Sequence, residues 1–236
     1  AQLEQLTTDS SGQTDTIDLA APPLEYSLNP ENEVQPYSEY TMQITAEGFE
    51  SVSIAGAEIL ADVTAIQNVS MKPIDTPEDE ETVFVIPAHT LYATYPEYIV
   101  VHDGSPRDST AKNYYVKYKD YIKNVASSEI YATWPEDTIR ANVLAIMSFT
   151  LNRVYTEFYR NRGYDFTITS STAFDHKWIP ERNIYDTISV IVDELFADYL
   201  SRPNVKQPIL TQYCDGRQVQ CPNWMTQWGS KSLGDQ

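Results

Sequence analysis

The hydrophobic pattern of the chain changes near residue 97, and this change limits the folds open to it. Before that point, short runs alternate polar and apolar residues, as half-buried strands do. After it, apolar residues recur every three or four positions, as on one face of a helix. The sequence therefore predicts an α+β fold with an N-terminal β-sandwich (residues 1–73), a linker (74–97) and a mainly helical α+β domain (98–236). The predicted strands of the sandwich are Gln13–Leu19, Thr41–Ala46, Ser51–Ile54, Ala57–Leu60 and Ile66–Met71.

The charge is divided at the same place. The whole chain has a formal net charge of −18, of which residues 1–96 carry −16 and the remainder −2. Nucleic-acid phosphates would repel so acidic a chain, so binding to DNA or RNA is not expected. An anionic wall polymer would also be repelled by the acidic first part, so a site for it is more readily expected in the second part, which is nearly neutral. The acidic run Glu78–Glu81 reads as a solvated part of the linker.

Other compartment signals are few. No apolar stretch is long enough to span a bilayer, so membrane insertion is not expected, and no signal peptide is visible in this chain. Cys214 and Cys221 lie seven positions apart, which is compatible with a disulfide and equally with two free thiols. A metal site is less favoured, because no further ligand lies near them.

Three helices are predicted in the second part. The first carries an apolar stripe formed by Tyr118, Tyr121, Ile122 and Val125. The second follows the capping-box pattern Thr133-Trp134-Pro135-Glu136 and continues to Gly163. The third covers Ile184–Leu200, and beyond it Pro208–Tyr213 is predicted as a strand that leads into a hairpin turn at Asp215-Gly216.

Glu129 is the leading candidate for chemistry because it continues the apolar stripe, four residues after Val125. Burial of a carboxyl group disfavours its ionised form and raises its pKa, which suits a general acid near neutral pH. The alternative is a partly buried glutamate that pairs with Lys123 or Arg140. Serine-hydrolase, phosphate-loop, dinucleotide and zinc-protease motifs are not found, and no metal or cofactor is predicted.

Two separated motifs carry a resemblance to a known family. The first comprises Tyr121-Ile122-Lys123-Asn124-Val125-Ala126-Ser127-Ser128-Glu129, then Trp134-Pro135 and Ile139–Ala145; the second is Met225-Thr226-Gln227-Trp228-Gly229-Ser230. Together they resemble the catalytic domain of the stage II sporulation protein D family, closest to clostridial spore cortex-lytic enzymes, over roughly residues 98–236. Ser148 departs from that family, in which an arginine is typical at this place.

The resemblance implies a lytic transglycosylase that cleaves peptidoglycan, including spore cortex, between N-acetylmuramic acid and N-acetylglucosamine. One glutamate, here Glu129, would act as acid and then as base to give 1,6-anhydromuramyl products. It also implies action in the cell wall or spore cortex, glycan strands as partner, and a peptidoglycan-binding module beyond Gln236. The zinc-binding set of some members has no counterpart here.

Five further residues are predicted to bind the glycan. Gln227 and Trp228 follow from the second motif, although a buried tryptophan with a structural glutamine fits the pattern as well. The pair Asp175-His176 suits sugar binding, but a lone loop histidine is commoner at a surface. Tyr213 is included because aromatic rings stack on sugar faces; such rings equally build ordinary cores.

The first part resembles carboxypeptidase regulatory-like domains, through the stretch Tyr40–Met71. Such domains usually serve as spacers or adhesive modules. Two functions of other classes remain open at this level. One is a wall-binding structural component, for example of a phage-tail-like assembly, with a degenerate cleft. The other is an ordinary glycan hydrolase, which a second carboxylate roughly 5–9 Å from Glu129 would support.

Overall fold

The N-terminal part forms strands where its side chains alternate between solvent and protein. The computed structural model describes residues 4–74, 95–196 and 198–236. A short helix α1 (Glu25–Leu28) precedes the antiparallel strands β1 (Ser38–Ile44) and β2 (Val52–Ile59). The turn between them contains Gly48, whose positive φ of 82° is readily adopted by a residue without a side chain. Ser38 pairs with Ile59 and Ile44 with Val52, and the register shifts by one residue between Tyr40 and Met42, as at a β-bulge.

The predicted sandwich of two sheets is not formed by residues 4–74, which contain only the two-stranded β1–β2 sheet. The alternating stretch Gln13–Leu19 is not assigned to a strand. Of the predicted last strand, Ile66–Met71, only Ile66 lies in a strand, β3 (Ala65–Ile66), which pairs with β7 (Ile184–Tyr185) of the second part. Alternation indicates a strand conformation but does not select the partner strand, so this long-range pairing could not be read from it.

A three-stranded sheet opens the second part. Its central strand β4 (Tyr98–His102) lies between β5 (Asn113–Lys117), which is antiparallel, and β6 (Ile168–Thr169), which is parallel. Ile99, Val100 and Val101 are buried, because this strand is covered on both faces. The α+β class that the sequence predicts is therefore confirmed.

Helices α2 (Tyr118–Glu129), α3 (Glu136–Tyr155) and α4 (Asp186–Leu195) pack together over this sheet. The second predicted helix, α3, begins two residues later than the predicted capping box implies: Pro135 and not Thr133 is its N-cap, and the Thr133 hydroxyl donates to Ser27 instead. It also ends earlier than predicted, and Gly163 terminates a separate 3-10 turn, Arg160–Arg162. The third predicted helix, α4, is shorter than Ile184–Leu200 at both ends, because its first two residues form β7 and it ends at Leu195.

The chain closes with two short parallel strands, β8 (Tyr213–Cys214) and β9 (Met225–Thr226), followed by helix α5 (Gln227–Gly234). The hairpin predicted at Asp215-Gly216 is wrong, because a parallel pair needs a longer connection. That connection contains a disulfide bond between Cys214 and Cys221, which resolves the alternatives left open by the sequence.

The N-terminal part packs directly on the second part. Leu60 is buried in the main core together with residues of α2, α3 and α4. The indole N–H of Trp134 donates to the carbonyl of Ser27, and Glu58 forms an ion pair with Arg182. The predicted boundaries at residues 73 and 98 remain predictions, and most of the predicted linker lies outside the described residues. Within the described ranges, no helix is long and apolar enough to cross a membrane.

Candidate active site

Glu129 is the last residue of α2, on the face that this helix turns toward the core. Tyr121, Ile122 and Val125 are fully buried on the same face, at the helical spacing that the sequence predicts. Glu129 itself is only partly buried, so its carboxyl group lies at the edge of the core. The side chain pairs with neither Lys123, which binds Asp193, nor Arg140, which binds Glu136 and Glu194. The ion-paired alternative for Glu129 is therefore wrong.

Two donors hold the Glu129 carboxyl group. The backbone N–H of Lys177 donates to Oε1 at 2.7 Å, and the hydroxyl of Tyr213 donates to Oε2. Burial and the neighbouring carboxyl group raise the pKa of Tyr213 well above its ordinary value. Tyr213 consequently keeps its proton throughout the physiological range and remains a donor. One donor comes from a loop and the other from β8, so the carboxyl group is fixed from two sides.

Burial raises the pKa of Glu129 from an ordinary value of 4.5 to about 7. The hydrogen bonds from Tyr213 and Lys177, and the charge of Lys177, act in the opposite direction but do not cancel it. The position at a helix C-terminus adds to the destabilisation of the anion, because the helix dipole is negative there. Among the described residues, the groups that shift this pKa include no second carboxylate.

His176 lies behind Tyr213, inside the protein. Its ring stacks against that of Tyr213 with centroids 5.9 Å apart and also contacts Phe149. Its Nδ1 shares a hydrogen bond of 3.0 Å with the Tyr121 hydroxyl. Its Nε2 is buried and has no partner among the described residues. Burial and the nearby Arg153 lower the pKa of His176 to about 3, so the ring is neutral near pH 7.

Asp175 has no contact with Glu129 in the structure. Its side chain is fully buried and accepts hydrogen bonds from Arg153, from Tyr159 and from both the backbone N–H and the hydroxyl of Thr169. These donors occupy both oxygens, so Asp175 ties the end of α3 to the start of the loop that carries His176 and Lys177.

The two sequence motifs meet in space. The ring of Trp228 packs against those of Trp134 and Tyr131, with ring centroids 4.9 Å and 6.1 Å apart. The backbone N–H of Trp228 donates to the carbonyl of Asp215, two residues after Tyr213. Gln227 is buried at the start of α5. The second motif thus supports the strand that carries Tyr213, while the first motif carries Glu129.

Sequence reasoning missed the most direct partners of Glu129. Tyr213 was expected at a sugar face, whereas its hydroxyl binds the carboxyl group; its aromatic character gave no sign of this. The donor at Lys177 is a backbone group and leaves no side-chain signal at all. Ser148, at the place where the resembling family has arginine, accepts a hydrogen bond from the backbone of Leu200.

No known protein-family model matches the chain, and no curated protein matches it. Three or more metal-ligating side chains do not come together anywhere in the described residues. The site therefore has to be interpreted from its own geometry and from the motif resemblance.

Proposed function

We propose that the chain is a peptidoglycan lytic transglycosylase of the stage II sporulation protein D type, with Glu129 as its single acid and base. The observation that carries the proposal is the Glu129 carboxyl group at the edge of the core, held by Tyr213 and Lys177, where burial raises its pKa to about 7. A group with this pKa is populated in both protonation states near neutral pH. That property suits a residue that must first donate a proton and then accept one.

The proposed reaction uses no water. Protonated Glu129 donates its proton to the glycosidic oxygen between N-acetylmuramic acid and N-acetylglucosamine, and the bond from C1 of the muramyl residue to that oxygen breaks. The resulting carboxylate then takes the proton of the muramyl 6-hydroxyl, whose oxygen bonds to C1. A 1,6-anhydro ring closes, the N-acetylglucosamine end leaves as an alcohol, and Glu129 is protonated again.

The proposed route differs from ordinary hydrolysis in the number of carboxyl groups that it requires. Retaining and inverting glycosidases use two carboxyl groups on opposite sides of the scissile bond. The groups that shift the pKa of Glu129 include Tyr213 and Lys177 but no second carboxylate among the described residues. The Tyr213 hydroxyl would steady the carboxylate while the sugar ring closes.

The remaining predicted site residues fall into two groups. For Tyr213 and Trp228 we propose roles in glycan binding, Tyr213 through Glu129 and Trp228 through the aromatic cluster that it forms with Tyr131 and Trp134. Asp175, His176 and Gln227 are buried, and we propose that they support the elements around Glu129 instead of touching sugar.

The proposed partner is the glycan strand of the cell wall or spore cortex, outside the cytoplasm. The Cys214–Cys221 disulfide is consistent with such an oxidising location. For the first part we propose the role of an accessory module that packs on the lytic part, as its likeness to carboxypeptidase regulatory-like domains suggests.

Mass analysis of muropeptides tests the proposal. The protein, its Glu129→Gln variant and a Glu194→Gln control, altered in a surface ion pair with Arg140, are incubated with cortex and vegetative peptidoglycan. We expect anhydromuramyl products from the parent and the control but not from Glu129→Gln. Wall binding without products from the parent would instead favour the structural wall-binding function.

A further inference from the structure

The C-terminal end of α2 is capped by an arginine from a distant loop. Arg182 donates through Nη2 to the carbonyl of Ser127 at 2.7 Å, two residues before Glu129. The last carbonyls of a helix lack partners within the helix, and a cation there is favourable. The guanidinium of Arg182 thus helps to set where the last turn of α2, and with it Glu129, lies.

The same arginine nitrogen is bound by the N-terminal part. Nη2 of Arg182 also donates to Oε2 of Glu58, on β2, at 2.8 Å. The pair is well shielded from water, with side chains 4% and 17% exposed for Arg182 and Glu58. Shielding from water strengthens the attraction between the charges and removes the salt screening that weakens surface pairs.

The backbone of Glu58 is fixed as well as its side chain. The Asn183 amide donates to the carbonyl of Glu58 at 2.9 Å and accepts from its N–H at 3.0 Å. The Tyr185 hydroxyl donates to the same carbonyl at 3.2 Å. Three contacts from one loop therefore hold Glu58 in a single place, so its carboxylate acts as an anchor for Arg182.

The segment that contains Asn183 and Tyr185 also carries the donor to Glu129. We call this segment, residues 177–185 with β7 at its end, the strap. Besides the Lys177 N–H bound to Glu129, the strap pairs with α2 through Asn124, whose amide donates to the carbonyl of Ile179 at 2.7 Å and accepts from its N–H at 3.1 Å. The strap is thus bound to the α2 helix along one side and to Glu58 along the other.

We infer that Glu58 is a positioning residue for Glu129, which it reaches through Arg182 and the strap. The hairpin of the N-terminal part would then be a component of the active site's frame. The catalytic consequence rests on the proposed function, whereas the structural coupling between Glu58 and Glu129 does not.

Removal of the Glu58 carboxylate should loosen the strap both from Glu58 and from α2. The strap would hold α2 less tightly and water would reach the Glu129 carboxyl group. Hydration favours the ionised form, so the pKa of Glu129 should fall toward 4.5. The other groups that face Glu129 are Lys177 from the strap, Tyr213 from β8 and Tyr121 from α2, and the substitution leaves all three in the chain.

The test is a carbon-detected NMR titration of the Glu129 carboxyl group in the parent, Glu58→Ala, Glu58→Gln and the Glu194→Gln control. The Glu129 resonance is assigned by its loss in Glu129→Gln. We expect the pKa of Glu129 to fall by roughly one pH unit in the Glu58 variants and to stay unchanged in the control. Should Glu58→Ala fail to fold, the nearly isosteric Glu58→Gln decides the result.

The rate of anhydromuramyl product formation at neutral pH should fall about fivefold in the same Glu58 variants, because a pKa lower by one unit depletes the acid form of Glu129 by that factor. A lower melting temperature with an unchanged Glu129 pKa would show that Glu58 is merely structural and would overturn the inference. If no chain, including the parent, releases products, the proposed function fails, while the titration still decides whether Glu58 positions Glu129.

Discussion

Glu129 and Asp175 are two acidic side chains in the same domain with opposite surroundings. The Asp175 side chain is fully buried, pairs with Arg153 through Oδ1 and accepts three further hydrogen bonds on Oδ2. Glu129 is partly exposed, receives one hydrogen bond on each oxygen and has no cation bonded to it among the described residues. Glu129 has few partners and is therefore open to proton exchange, whereas the contacts of the Asp175 side chain hold parts of the fold together.

The largest expected effect is on the Asp175 side of the comparison. Asp175→Asn should lower the free energy of unfolding by about 3–5 kcal/mol, because it leaves the buried Arg153 guanidinium without its counter-ion. Urea denaturation measures this change. Glu194→Gln, which removes a partner of the more exposed Arg140, should cost much less, because solvent and salt screen such a surface pair. Equal effects of the two substitutions would contradict a structural role for Asp175.

Replacement of Glu129, unlike that of Asp175, should raise the stability of the protein at high pH while it removes the proposed activity. Its pKa is raised from 4.5 to about 7 on folding, so the native state binds the extra proton and loses stability as the pH rises through this window. Glu129→Gln removes this loss. Relative to the stability difference between the two proteins below pH ~4, the variant should gain roughly 3 kcal/mol over the parent at pH values above about 8. Thermal unfolding of both proteins across this range measures it. A stability difference that does not depend on pH would show that the pKa of Glu129 is not raised.

Much of the Glu129 site follows from the sequence, whereas little of the Asp175 site does. The helical spacing from Tyr121 to Glu129 lies within one helix and predicts the buried face directly. Asp175 is held by Arg153, Tyr159 and Thr169, which belong to separate elements, and local periodicity does not report such contacts. The same reason explains why the pairing of β3 with β7 and the backbone donor at Lys177 were not predicted.

The disulfide should affect the surroundings of Glu129 and not those of Asp175, because Cys214 directly follows Tyr213, which binds Glu129. Its loop is short, with a sequence separation of 7, so its loss should cost about 2 kcal/mol through the unfolded chain. The double variant Cys214→Ser/Cys221→Ser, compared with the parent by urea denaturation, measures this cost. The variant should also give a weaker Tyr213–Glu129 contact. An unchanged Glu129 titration in the variant would show that β8 keeps its place without the covalent link.

Tyr213→Phe should have the smallest effect. The hydroxyl of Tyr213 lowers the pKa of Glu129, so its removal should raise that pKa further. Loss of one such hydrogen bond is worth about 1 kcal/mol. In the pH profile of kcat/KM, the decline that follows ionisation of Glu129 should therefore move to higher pH. A decline that moves to lower pH would contradict the donor role of Tyr213.

The most direct test of the proposed transglycosylase reaction is digestion of peptidoglycan in water enriched in heavy oxygen, followed by mass analysis of the glycan ends. We expect anhydromuramyl ends that contain no oxygen from the solvent, formed by the parent protein and not by Glu129→Gln. Reducing ends that carry solvent oxygen would contradict it, because water and not the muramyl 6-hydroxyl would then have attacked the sugar.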